Sequence, residues 1–305
     1  MPNAALADPL LAFLAAIVDD LEDTRKANEN RLRQLTRTET DSDGKERGFG
    51  LDDSDPAVAQ LAALVDALTK LEHQAVLNLQ RRLRKHPLAA WCKATKGIGE
   101  KQAARLLAVI GDPGWHVPED RPRGLRELWA YCGLHNLPAA HLSVDSQGEG
   151  GGGDQISAGG DLDQASPESQ TLPVFIAARR AKGQRANWST AAKSRAYLIA
   201  EAMLKAGNRE MYDARRAATA DKLHAAPCPQ CGSKGKPALP GTHWRLGHQH
   251  ADALRVVAKD AVLRPLWQQA RDLHQDHRAA QGPLDRHRVS GGSDQPNETP
   301  LAGAA

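Results

Sequence analysis

Two long stretches repeat their apolar residues with a helical period, and nowhere does the chain alternate apolar and polar residues as a strand would. Over residues 8–37, Leu10, Leu14, Ile17 and Leu21 recur at four-three-four spacing, and Leu32 and Leu35 resume the stripe after a polar stretch. The turn formers and charges of "TETDSDGKERGFGLDDSD" then interrupt the pattern. A second helix is expected to start near Pro56, a residue suited to a first helical turn. Its stripe is Leu61, Leu64, Leu68, Leu71 and Leu79, and it ends in "QRRLRKHP". Helices of this size run roughly 45 Å. The fold class implied is all-α, with residues 1–90 forming a long helical hairpin or a coiled coil that makes a homodimer through residues 8–86.

The remaining chain divides by composition. Residues 91–142 read as a compact unit. Residues 143–172 follow with six acids, seven glycines and no Lys or Arg. Such a segment buries too little apolar surface to offset chain entropy, so it reads as a flexible linker. Residues 173–278 form a basic helical region with helical pattern over 189–206 and 249–274, and residues 279–305 are polar and expected to be disordered. No run approaches the eighteen or so apolar residues of a membrane span, and the N-terminal apolar stretch lacks a basic flank, so no signal peptide is expected. Four cysteines without such a signal suit a reducing, cytoplasmic setting and metal binding over disulfides.

The stretch "TKGIGEKQAARLLAVIGDP" (95–113) is where ligand chemistry first suggests itself. A dinucleotide loop needs a preceding strand and a third glycine, but Gln102 stands there; a P-loop signature is absent. Gly97-Ile98-Gly99 followed by Ala103 instead resembles the helix-hairpin-helix motif. Glycines adopt the φ values a tight hairpin demands. The next helix then begins with unpaired N–H groups and partial positive charge, which suit a phosphate. Lys96 and Lys101 flank that point with formal charge. Contacts of this kind position a protein on a nucleic-acid backbone without reading its sequence.

Residues 173–216 carry ten basic side chains against three acids, a local +7 within a chain of formal charge +3. Arg179, Arg180, Lys182, Arg185, Lys193 and Arg195 are its candidate phosphate contacts. Trp188 and Tyr197 interleave with the charge, as stacking on nucleic acid would require. Further on, Cys228 and Cys231 stand at C-x-x-C spacing, half of a zinc site. The other ligands must come from His224, His243, His248 and His250, with His248 and His250 preferred; a pair of free thiols is the competing reading. Cys92 and Cys132, beside Trp91 and Tyr131, read as small core residues.

Taken in order, the G-I-G hairpin, Tyr131-Cys132-Gly133-Leu134, the basic stretch 179–203, "MYDARRAA" and "GHQHADALRVVAKDAVLRPLW" resemble the C-terminal domain of the insertion-sequence 110 family of bacterial transposases. The similarity covers about half of the chain. It implies a DNA-binding protein, with DNA preferred over RNA, involved in recombination or transposition. Members of that family also carry an N-terminal RNase-H-like domain whose acids bind Mg²⁺, and this chain has two helices in its place. The family's nucleophilic serine follows the Y-x-G-L segment; here Ser143 and Ser146 are the nearest, in no recognisable motif. The chain is therefore expected to bind nucleic acid without autonomous catalysis. A subunit acting with a catalytic domain in trans, or a helical protein-interaction adaptor, are the alternatives.

Overall fold

The computed structural model describes residues 6–40, 42–45, 47–138, 175–178, 185–233 and 236–280. The linker 143–172, with Ser143 and Ser146, lies outside the described residues, as does all but the first two positions of the tail 279–305. So do Arg179, Arg180 and Lys182.

The described chain is mainly helical. Helix α1 (Pro9–Thr36) and helix α2 (Pro56–Leu83) each begin with proline at the first turn and an aspartate cap. Asp8 accepts from the amides of Leu10 and Leu11, and Asp55 from that of Ala57. These caps satisfy amides that have no intrahelical acceptor. Asp8 also pairs with Arg82 at 2.6 Å, which ties the start of α1 to the end of α2 and makes the two helices antiparallel. The two helices expected from the sequence are present and pack on each other, but the buried stripe is rotated from the one expected. On α1, Leu11, Ala15 and Val18 are buried, while Leu10, Phe13 and Ile17 are exposed. On α2 the buried series is Val58, Val65, Glu72 and Leu79, a repeat of seven, and Leu64 and Leu71 face outward.

Helices α3 (Ala89–Ala94), α4 (Glu100–Ile110), α5 (Leu125–Tyr131), α6 (Thr190–Lys205) and α7 (Glu210–Ala218) follow. Then α8 (Leu246–Val256) runs through a π-helical segment (Val257–Leu263) into α9 (Arg264–Ala280). Helix α4 lies against α1, α2 and α6, and the π segment packs on α6. One apolar cluster runs from Leu6 and Val18 through Leu106 and Ile199 to Leu266, so the N-terminal helices share a core with the rest.

Strands were not expected, and three short antiparallel pairs occur. They are β1 (Trp115–His116) with β2 (Arg121–Pro122), β3 (Asn136–Pro138) with β4 (Phe175–Ala177), and β5 (Cys228–Ser233) with β6 (Lys236–Ala238). Five of the six strands span only two or three residues, too few to show an alternating pattern, and the six residues of β5 do not alternate in burial. Gly232 is what allows the last pair, because a Cβ there would overlap the Lys236 carbonyl. No helix among the described residues is long and apolar enough to cross a membrane.

Candidate metal centre and nucleic-acid interface

The C-x-x-C pair is carried on β5, where Cys231 is buried and Cys228 half-buried. Two other segments complete the cluster. Residues 222–224 pair with 242–244: the His224 amide donates to the Thr242 carbonyl at 2.9 Å, and the Trp244 amide to the Lys222 carbonyl at 2.9 Å. That pairing fixes His224. The first turn of α8 supplies His248, whose ring stacks on Trp244 with centroids 3.9 Å apart and an angle of 14°. The His248 Nδ1 lies 3.5 Å from the Cys228 Sγ and 3.2 Å from the Cys231 Sγ. One ligand atom from each of His224, Cys228, Cys231 and His248 falls within 4.8 Å of the others, so the cluster could hold a metal ion.

Those distances can be compared with chemistry. Tetrahedral zinc with its usual bonds to sulfur and nitrogen sets ligand atoms about 3.3–3.8 Å apart, and the measured sulfur–nitrogen distances sit close to that. Burial pushes the Cys231 thiol up, with the neighbouring Cys228 adding to it. Burial pushes His224 down, which keeps it in the neutral form that ligates.

His250 is not in this cluster. Two residues further along α8 than His248, it points to a different side, and its Nδ1 is 2.7 Å from the Tyr212 hydroxyl of α7. A helix turns about 200° in two residues, so two histidines at that spacing cannot share a site as a pair three or four apart can. His224 takes the fourth position instead.

The proposed phosphate contacts are scattered by comparison. Gly97 has φ +92° and sits against α6 so closely that a Cβ would lie 2.5 Å from the Met203 Cα. Ile98 is buried, Gly99 is exposed and caps α4, and Lys96 is exposed. Lys101 turns inward to Glu22 at 3.2 Å and Glu72 at 3.1 Å. Arg195 pairs with Asp19 at 2.9 Å. Lys193 donates to the Ala178 carbonyl at 3.2 Å, and burial pushes its ammonium below the usual lysine range. Arg185 is exposed. Neither aromatic ring of this region is free for a base. Trp188 covers Gly133, whose φ is +61° and where any Cβ would overlap the indole. Tyr197 is partly buried against the core.

The ion pairs that capture Lys101 and Arg195 form a network that sequence reading missed. Arg105, 4% exposed, pairs with Glu22 at 2.7 Å and also with Asp19; Arg25 reaches Glu72 at 2.6 Å. The network joins α1, α2, α4 and α6. Its one sequence signal is Glu72, an acid inside the seven-residue series Val58, Val65, Leu79. Among protein-family models, curated proteins and solved structures, none matches this chain.

Proposed function

We propose that the chain binds duplex DNA through its phosphate backbone, using the Gly97–Gly99 hairpin together with the turn between α6 and α7, and that zinc on His224, Cys228, Cys231 and His248 braces the C-terminal part. One observation carries the reading: Gly97 is seated on α6. That seating brings the Lys96 ammonium to 3.7 Å from where a side chain on Gly207 would begin. Lys96 and Lys93 on one side, and Lys205 and Arg209 on the other, are all exposed near this junction. Arg209 is partly neutralised by Asp213 at 3.1 Å, and Glu100 by Arg84 at 2.8 Å. The early amides of α4 add a partial positive charge beside them.

Zinc is favoured over other metals because two thiolates and two imidazoles suit its tetrahedral, redox-inactive chemistry. Bound there, it would cross-link β5, the 222–224 segment and the start of α8. The choice of DNA over RNA rests on the resemblance to insertion-sequence transposases, which also makes the DNA of a mobile element the natural ligand class.

The test is fluorescence anisotropy with duplex DNA across a salt series. Wild-type protein should give a log–log slope near −3, about three phosphate contacts, and Lys96→Glu with Lys205→Glu should flatten it by about 2. Absence of binding at low salt, or an unchanged slope in a folded double variant, rules the reading out.

A further inference from the structure

Beside the metal cluster lies a cleft of about 400 Å³, in the size range of small-molecule sites. Its charged walls are Arg215 of α7, Lys222, and Arg255 and Asp252 of α8. Asp252 is the one carboxylate among the described lining residues, so three cations face one anion, a local +2. Asp252 is 8% exposed and shared: Arg215 Nε donates to it at 2.6 Å and Arg255 at 3.4 Å. A single carboxylate cannot neutralise both guanidiniums and the lysine.

The donors are in surplus too. Arg215 uses only its Nε, and its two terminal nitrogens carry no hydrogen bond among the described residues. Arg255 spends its terminal nitrogens on Asp252, on Asn136 Oδ1 at 2.8 Å and on the Leu134 carbonyl at 3.4 Å. Its Nε is buried with no acceptor, and so is the indole N–H of Trp244. Buried donors left unpaired are rare and cost free energy. Those two atoms are closed off from the cleft itself; it is the surplus positive charge and the two terminal nitrogens of Arg215, unpaired among the described residues, that suit a ligand rich in acceptors and negatively charged. The Trp244 ring already stacks on His248 and has the Lys222 ammonium 4.3 Å from its centroid, so it is not offered as a platform for a base.

We propose that this cleft binds a phosphate group, carried by a mononucleotide or by the phosphorylated end of a strand, with Arg215 and Lys222 as its principal contacts. A phosphate offers several acceptor oxygens to a guanidinium fork and a lysine, the geometry arginine recognises best. The site stands apart from the hairpin and does not depend on backbone binding there.

The experiment is calorimetric titration of the full chain with inorganic phosphate, deoxyadenosine 5′-monophosphate and deoxyadenosine. The two phosphate probes should bind and the nucleoside should not. Lys222→Glu, at an exposed position, should keep the fold and weaken both phosphate probes at least tenfold; Arg215→Gln should do the same, with folding checked by thermal melting. A 5′-phosphorylated oligonucleotide that displaces the mononucleotide, where its unphosphorylated twin does not, would identify a strand end as the source. Its failure to displace would identify a free nucleotide. Lack of phosphate binding, equal binding of the nucleoside, or undiminished binding in a folded Lys222→Glu protein overturns the proposal. Because Lys96→Glu with Lys205→Glu should leave these titrations unchanged, failure here and failure of the DNA reading are separable.

Discussion

His224 and His250 show how little separates a ligand from a bystander. Both are near the cysteine pair in sequence, and only the pairing of 222–224 with 242–244 turns one of them toward it. If zinc is bound as proposed, His224→Ala should lose most of the metal that wild-type protein retains, one ion per chain, after dialysis and elemental analysis. His250→Ala should keep its zinc and lose only the Tyr212 hydrogen bond, about 1 kcal/mol in a urea titration. Equal metal loss in both variants would put the fourth ligand back in doubt. The cysteine pair was legible as half a site, because C-x-x-C is local chemistry. The histidines were not, since four candidates lay within reach and the choice among them is made by backbone pairing between distant segments.

The turn before α4 illustrates the same divide one level up. Its two glycines stand out in the sequence, but they have different jobs. Gly97 needs a positive φ and an open approach to Met203 of α6, whereas Gly99 has ordinary φ of −80° and nothing within 4 Å of its absent Cβ. Gly97→Val should therefore destabilise the protein by about 3 kcal/mol or more, by backbone strain and overpacking together. Gly99→Ala should cost about 1 kcal/mol or less, the price of a poorer cap. Urea midpoints compare the two, and equal effects would mean that the seating on α6 is not what holds the turn. A helix start and its glycines are read from a few neighbouring residues. Which helix covers Gly97 depends on a partner more than a hundred positions away.

Across the molecule, the ion-pair network under α4 predicts sensitivity to acid. Although burial works the other way, the hydrogen bond from Lys26 and the charges of Arg105 and Lys101 hold Glu22 down to about 2, against an ordinary value of 4.5. A carboxylate depressed in the folded state contributes stability above its unfolded pKa and loses it as pH falls toward the folded one. The contribution, as much as about 3 kcal/mol, should therefore be present at pH 7 and disappear between about pH 5 and 2. In Glu22→Gln the protein should be weaker at pH 7 and its stability should vary less over that interval. Urea unfolding at stepped pH measures both, and an unaltered profile in the variant would show that Glu22 is not the group concerned.

Helix positions, the proline start of α2 and the presence of a cysteine motif could all be read along the chain, because each depends on residues within a turn or two of one another. The face each long helix buries could not. Alanine and valine are buried on α1 and α2 alongside a few leucines, while Leu10, Leu64 and Leu71 stay outside, since close packing selects side chains by shape as well as by hydrophobicity. Nor could charge density alone assign Lys101, Lys193 and Arg195 to a ligand. Their acids and carbonyls come from α1, α2 and the Ala178 strand end, and only the folded chain brings such partners within hydrogen-bonding distance.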